Sequence, residues 1–223
     1  METTTEINYE EVFKLFAVPK SDWRKDLQQP FRQANIYCAT DAHSLIILPI
    51  EKADLPFKEQ EKPDAISIIP KEVVFNDEII VSEIEERLIP VMIDEEIVEE
   101  SEKKCSDCDG DGEVEWEYDG HYMDADCPIC EGAGVIKNKV VKKIGNKIAD
   151  PTKEYKMWGV TFSYEQLNRL VTACKMMGVN KIIRTFGTER NGNLFRCGDA
   201  SILIMPIISD APEEEITKIT QNG

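Results

Sequence analysis

The amino-acid sequence predicts an α+β protein in which two segments of strands and helix flank an inserted metal-binding arm. Three observations predict this organisation. Two Cys-x-x-Cys pairs lie between residues 105 and 130. A capped amphipathic helix begins at Ser163, with strand-like apolar runs before and after it. Further strand-like runs lie between Phe31 and Val81.

Length and composition are those of a soluble globular protein. The 223 residues can form one medium domain with a small insertion, or two small domains, and 42% of them are hydrophobic and 31% charged. The apolar runs, such as 201–208, are too short to span a bilayer. We expect a cytoplasmic protein without membrane contact, because no targeting segment is recognisable.

In the N-terminal segment, Asn8 followed by Glu11 resembles a capping box and predicts a short helix that ends before Pro19. The segment 31–49 alternates and predicts a β-hairpin that turns at 40–42. Residues 51–63 are polar and proline-rich, which predicts a loop. The remaining expectations are strands at 65–69 and 78–81 and a short helix beginning within 70–75. Segments 83–88 and 91–98 are expected to lead out to the insertion, and 135–141 to lead back.

The helix at Ser163 is the clearest element of the sequence. Gln166 completes its capping box, and Gly178 supplies a left-handed stop. One face is apolar and the opposite face is basic, which is either an ordinary solvated surface or a binding surface. The apolar face carries Leu167, Leu170, Val171, Cys174 and Met177, and the basic face carries Asn168, Arg169, Thr172 and Lys175. The predicted strands around this helix are 155–162, 181–186, 193–197 and 201–208.

The two cysteine pairs predict one tetrahedral Zn²⁺ site per chain. Its four thiolate ligands are Cys105, Cys108, Cys127 and Cys130, in a closed structural site. Alternatives are two local disulfides, four unrelated thiols, a thiol oxidoreductase, or a catalytic zinc with His121 as a further ligand. The other cysteines, Cys38, Cys174 and Cys197, lie in apolar patterns that predict buried thiols.

Both cysteine pairs continue as Cys-x-x-Cys-x-Gly-x-Gly, a doubled pattern that resembles the cysteine-rich repeats of the DnaJ-type zinc finger. The resemblance covers about thirty residues and implies a metal site alone. Chaperone activity is not implied, since the His-Pro-Asp signature of a J-domain is absent from the sequence.

Charge argues against a protein that coats nucleic acid indiscriminately, since the formal net charge is −17. Acidic residues are concentrated in 94–102 and 210–215. A basic run follows the second cysteine pair and is interpreted either as a solvated face or as an arm that contacts phosphates. Its members are Lys137, Lys139, Lys142, Lys143 and Lys147.

Both flanks resemble the bacterial DNA polymerase III β subunit, the sliding clamp. The N-terminal match is Ala-Thr-Asp-Ala-His-Ser-Leu at 39–45 with Ile-Pro-Lys at 69–71. The C-terminal match is the strand-to-helix step at 159–163 with Leu-Ile-Met-Pro-Ile at 203–207. The resemblance implies a DNA-clamp-like domain of two βαβββ halves, and it implies that Asp41 and His43 are turn and packing residues.

What the clamp resemblance implies is function without bond chemistry: helices present cations to DNA phosphates, and sheets form the rim. The matching cations are Arg169 and Lys175, whereas the first helix departs from the pattern because Glu10 and Glu11 accompany Lys14. Around six such domains close a ring, so a processivity clamp requires a homo-oligomer.

Together these features predict a first clamp-like half (1–95), a zinc-binding arm (96–150), a second half (151–210) and an acidic, disordered tail (211–223). The predicted function is a non-enzymatic, DNA-associated accessory protein, of phage or mobile-element origin, that contacts double-stranded DNA or docks replication or repair proteins. The alternative is a zinc-knuckle adaptor that binds proteins and not DNA.

Overall fold

The structure, a computed structural model, describes residues 7–71, 73–209 and 214–216. The chain divides into two compact units, with boundaries between Val91 and Met92 and between Ala149 and Asp150. The body unit contains the residues on either side of the insertion, and the arm unit is Met92–Ala149. No helix within the described ranges is both long and apolar enough to cross a membrane.

Strands outnumber helices in both units, and the α+β class is confirmed. The α-helices are α1 Tyr9–Lys14, α2 Val81–Arg87 and α3 Tyr164–Met176. The body strands are β1 Phe31–Gln33, β2 Ile36–Thr40, β3 Ser44–Pro49, β4 Asp77–Ile80, β9 Glu154–Met157, β10 Val160–Ser163, β11 Lys181–Phe186, β12 Asn193–Cys197, β13 Ala200–Ile204 and β14 Glu214–Glu215. The arm strands are β5 Met92–Lys104, β6 Glu113–Tyr118, β7 His121–Asp126 and β8 Val135–Ala149.

A seven-stranded antiparallel sheet organises the body unit, in the order β1-β2-β3-β13-β12-β11-β4. Within this sheet, β3 and β13 join the segment before the insertion to the segment after it, because Leu45 on β3 lies opposite Leu203 on β13. The predicted order of strand, helix and three strands is found at β10-α3-β11-β12-β13. In the N-terminal segment α1 is likewise followed by β1, β2 and β3, while residues 1–6 lie outside the described residues.

The predicted strand 155–162 is instead two strands of a second, three-stranded sheet, ordered β10-β9-β14. Trp158 and Gly159 take positive φ values of 52° and 74°, so the chain turns there and β10 folds back on β9. The predicted tail falls largely outside the described residues. Its described part, Glu214–Ile216, includes β14, which pairs in parallel with β9.

The core of the body unit lies around α3, as the apolar periodicity predicts. Its apolar face is buried, the Ser163–Gln166 capping box is formed, and Gly178 has the left-handed φ of +68°. Phe162 and Phe195 meet edge to face against this helix, with ring centroids 6.0 Å apart. The predicted N-terminal helix is also confirmed. The segment 31–49 contains the predicted hairpin as β2 and β3, but its first part forms a third strand, β1, that pairs with β2.

The predicted strand at 65–69 and the predicted helix start within 70–75 are not found among the described residues. The segment 65–69 forms turns rather than a strand, because Gln33 Oε1 accepts from Ala65 N at 2.9 Å and from Ile66 N at 3.3 Å. The Gln33 amide also donates to Pro63 O, just before the segment, at 3.1 Å. The segment 83–88 is mostly helical, since Val81, Ile84 and Leu88 are buried at helical spacing. No helix begins among the described residues of 70–75; Glu72 lies outside them.

In the arm unit, β5 and β8 pair as a long antiparallel ribbon, and β6 and β7 form a hairpin. The ribbon pairs Met92 with Ala149 at one end and Lys104 with Val135 at the other. The two cysteine pairs follow β5 and β7, so they lie between the ribbon and the base of the hairpin. The sequence predicts that the cysteine pairs lie at the base of a β-ribbon. In the structure the β6–β7 hairpin lies on one side of them and the long β5–β8 ribbon lies on the other.

Candidate metal centre and candidate nucleic-acid contacts

Four cysteine sulfurs converge at the junction of ribbon and hairpin. The ligand atoms of Cys105, Cys108, Cys127 and Cys130 all lie within 4.8 Å of one another. The Sγ atoms of Cys105 and Cys127 are 3.9 Å apart, and those of Cys108 and Cys130 are 3.7 Å apart. All four residues are buried and none is disulfide-bonded. The predicted cluster is therefore formed, and the two-disulfide alternative does not match this geometry.

These distances fit a tetrahedral metal. Four thiolates at about 2.3 Å from a central Zn²⁺ have sulfurs about 3.8 Å apart, which is the separation of the two measured pairs. His121 is exposed at the far end of the hairpin, opposite Tyr118, and does not contribute to the cluster. The arrangement can hold one metal ion in a closed site.

The backbone of each pair forms a knuckle that repeats in the other. The amide of Gly112 donates to the Cys108 sulfur at 3.3 Å, and the amide of Gly134 donates to Cys130 at 3.3 Å. The knuckles also exchange backbone bonds, since Cys127 N donates to Gly112 O at 2.7 Å and Cys105 N to Gly134 O at 2.9 Å. The amide–sulfur bonds stabilise thiolates and orient them toward the centre.

Glycine is required at these positions for two separate reasons. Gly112 and Gly134 have φ values of +85° and +70°, which favour glycine. A Cβ on Gly112 would also lie 2.4 Å from Gly132 O, and one on Gly134 would lie 2.4 Å from Gly110 O. The Gly-x-Gly continuation in the sequence thus encodes the close packing of one knuckle against the other.

The pKa values of Cys108 and Cys130 are shifted in opposite directions. Burial opposes ionisation of Cys108, but the Gly112 amide and the neighbouring thiols outweigh it and lower its pKa to about 7. Burial raises the pKa of Cys130 to about 11, with a further contribution from thiols that ionise first. A metal ion that binds all four sulfurs releases the remaining protons.

The two predicted helix cations, Arg169 and Lys175, lie on α3 but are engaged in ion pairs. The Arg169 guanidinium contacts the Asp41 carboxylate and donates to Glu165 Oε1 at 2.8 Å, and its side chain is only 15% exposed. Lys175 Nζ lies 2.7 Å from Glu85 Oε1 on α2. Lys175 remains accessible, whereas Arg169 has a structural partner.

The lysine run lies on β8 and faces the acidic run on β5. The register places Lys137 opposite Glu102, Lys139 opposite Glu100, Lys143 opposite Glu96 and Lys147 opposite Asp94. Ion pairs join Lys137 to Glu102 at 3.7 Å, Lys143 to Asp94 at 3.2 Å, and Lys142 and Lys147 to Glu99 and Asp94. The two opposite charge runs, treated separately in the sequence, neutralise each other across one ribbon.

Asp41 organises the turn of the predicted clamp-like motif. Its Oδ1 accepts from the amides of His43 at 2.9 Å and Ser44 at 2.7 Å, which is the capping role expected of it. Burial opposes ionisation of Asp41, yet the hydrogen bond and charge of Arg169 lower its pKa below the ordinary value. Asp41 and Arg169 thus connect the β2–β3 turn to α3.

Beside this turn lies an apolar groove that the sequence did not indicate. Its cavity volume is about 710 Å³, and it runs between the 67–71 segment and the ends of β11 and β13. The residues that line it are mostly apolar: Ala42, Ser67, Ile68, Ile69, Pro70, Lys71, Phe186, Asn191, Gly192, Leu203 and Met205. The two segments matched to clamps, 39–45 and 203–207, both contribute to this groove.

No protein-family model matches the chain, and no curated protein matches it in sequence. Solved structures with similarity include the Helicobacter pylori beta clamp, at 14% identity and a TM-score of 0.46, over 92% of this chain and 66% of that one. The DNA polymerase sliding clamp of Pseudomonas aeruginosa is 13% identical, with a TM-score of 0.46 and coverages of 91% and 65%. The Thermotoga maritima DNA polymerase III beta subunit is 15% identical, with a TM-score of 0.45 and coverages of 90% and 63%. The chain spans 66% or less of each of these proteins.

Proposed function

We propose that this protein is a non-enzymatic, clamp-like accessory protein with one structural zinc, which docks a partner peptide of the replication or repair machinery. The observation that carries the proposal is the apolar groove, because residues from both clamp-like segments line it. The repeated succession of a helix and three antiparallel strands, at α1 and at α3, supports the clamp-like assignment.

Zinc is the metal favoured by the donor set. Four thiolates with no oxygen or nitrogen ligand suit Zn²⁺ and make a site with no open position for a substrate. The Cys₄ site therefore holds the two knuckles together, and its chemistry is structural rather than catalytic. One zinc per chain is expected.

The groove suits a short extended peptide. Side chains of an extended segment alternate, so every second one can enter an apolar groove while the others face solvent. Ile68 is 54% exposed and Met205 is 39% exposed, which leaves apolar surface for such side chains to cover. A peptide with aliphatic and aromatic residues at alternate positions is the class of ligand that fits.

The test is fluorescence polarisation of a labelled Leu-Ser-Leu-Ser-Phe peptide with the full chain. Ile68→Glu adds a charge inside the groove and is expected to weaken binding at least about tenfold. Ile66→Glu is the matched control, because Ile66 lies two residues away and lines a different cavity. Equal binding by both variants, or no binding to the unmodified chain, would remove the docking proposal.

Contact with duplex DNA is the second proposal. Its support is that Lys175 and the β8 lysines reach solvent; the side chains of Lys137, Lys143 and Lys175 are 70%, 65% and 57% exposed. Surface ion pairs are weak, so these ammonium groups can exchange a carboxylate for a phosphate. Binding that weakens steeply with salt and is lost on neutralising the predicted cations supports this contact. Absence of binding at low salt leaves the protein-only adaptor.

A further inference from the structure

The hairpin beyond the cysteines has one apolar face with no partner among the described residues of the arm unit. Paired residues of β6 and β7 share a face, and Val114 lies opposite Ala125, Trp116 opposite Met123, and Tyr118 opposite His121. Val114 packs against the four cysteines. Farther along the same face Trp116, Tyr118 and Met123 are 54%, 83% and 64% exposed. Apolar and aromatic surface of this kind marks an interaction site.

The charged residues of this region are all acidic. Between Cys105 and Ile136 the sequence has ten Asp and Glu residues and no lysine or arginine, and all ten side chains are exposed. The face of the hairpin opposite Trp116 pairs Glu113 with Asp126 and Glu115 with Asp124. Like charges directly opposite each other destabilise an antiparallel pair.

Charge complementarity identifies the partner. Nucleic acids and acidic membranes are repelled by ten carboxylates, and a Zn²⁺ with four thiolates adds two further negative charges. A basic protein segment is attracted, and its cations relieve the repulsion between the paired carboxylates. Apolar side chains in the same partner segment would cover the exposed aromatic residues.

We propose that the tip of the arm unit, residues 105–136, is a docking surface for a basic and amphipathic segment of a partner protein. The apolar side chains of that segment cover Trp116, Tyr118 and Met123, and its lysines or arginines face the surrounding carboxylates. This surface is separate from the groove of the body unit, so it is a second binding activity and does not depend on the first.

The test is calorimetric titration of the zinc-loaded full chain with three ten-residue peptides: alternating Lys-Leu, alternating Lys-Ser and alternating Glu-Leu. Lys-Leu is expected to bind about tenfold or more tightly than either other peptide, and more weakly as salt increases. Lys-Ser binding as tightly as Lys-Leu overturns the apolar part of the proposal. Failure of Lys-Leu to bind overturns the whole.

Two triple variants locate the site. Trp116→Ser, Tyr118→Ser and Met123→Ser are expected to lower the affinity for Lys-Leu about tenfold. The control replaces Ile97, Val140 and Val141 with serine, because these exposed side chains lie on the ribbon. Zinc content of one per chain, measured by native mass spectrometry, verifies that each variant retains the knuckles.

Equal affinity of both triple variants for Lys-Leu overturns the assignment to the tip. So does binding of a twenty-base-pair DNA duplex that the tip variant abolishes, or self-association that the tip variant abolishes, since nucleic acid or a second copy would then occupy the face. The Ile68→Glu groove variant retains Lys-Leu binding if the two surfaces are independent.

Discussion

Replacing Gly112 with alanine tests whether the close packing of the two knuckles controls metal affinity. The substitution places a Cβ at a φ of +85°, which costs about 1–2 kcal/mol. The same Cβ would lie 2.4 Å from Gly132 O, so the backbone must shift. That shift disturbs the bond from the Gly112 amide to the Cys108 thiolate, and a hydrogen bond to a charged group contributes about 1.5–3 kcal/mol.

Together these two effects weaken metal binding by about 2.5–5 kcal/mol, or about 10²–10⁴-fold, because metal binding to a cysteine knuckle is coupled to its folding. The assay is competition for Zn²⁺ between the full chain and a chromogenic chelator at fixed pH. Gly134→Ala is the symmetric equivalent and should behave alike, since its Cβ meets Gly110 O at 2.4 Å.

Gly120→Ala is the matched control. Gly120 lies in the turn between β6 and β7 with a φ of +75°, and the space that an alanine methyl would occupy is open to 4 Å. Alanine there incurs the conformational cost without the collision, so its effect on zinc affinity should remain below about tenfold. Equal zinc affinity of Gly112→Ala and Gly120→Ala would refute the packing argument.

Three further outcomes are expected. Cys108→Ser should abolish zinc binding and unfold the arm unit. The body unit should keep its cooperative thermal transition, so its melting temperature measured by circular dichroism should be nearly unchanged. The pKa of Asp41 in the folded protein is held below 3.8, so its ionised carboxylate stabilises the fold above that pH, and this stabilisation is lost as the pH falls through the folded-state pKa. The urea midpoint of unfolding should therefore depend less on pH in Asp41→Asn than in the unmodified chain between about pH 5 and pH 2.5. Ser163→Ala should lower the free energy of unfolding by about 1 kcal/mol through loss of the α3 cap, whereas Thr172→Ala, within the helix, should have little effect.

Local signals in the sequence were sufficient for the elements that depend on local chemistry. The cap at Ser163, the stop at Gly178 and the four clustered cysteines each combine residue type with fixed spacing, and each is found as predicted. The spacing alone places the thiols near one another because each Cys-x-x-Cys turn brings two sulfurs to one side.

Other features depend on partners distant in the sequence. The turn-rich course of 65–69 is imposed by Gln33, about thirty residues earlier, and an apolar run there looks like a strand when considered alone. The pairing of Lys147 with Asp94 follows from the ribbon register, which a scan of separate charge runs does not reveal. The groove requires Phe186 and Leu203 to meet the 67–71 segment, and no local pattern encodes that meeting.

The antiparallel ribbon has a consequence for how the chain folds. The central sheet cannot close until β3 meets β13, and the whole arm unit lies between them in the sequence. Pairing of Met92 with Ala149 brings the ends of that interruption together, and Asp150 N then donates to Val91 O at 2.7 Å. An arm that has already folded shortens the loop to be closed from about 160 to about 100 residues, which lowers the closure cost by only about 0.4 kcal/mol. For the folding of the body unit, a folded arm is therefore equivalent to a short connection, whatever the length of the arm. Changes in the sequence or length of the arm should have little effect on how fast the central sheet forms.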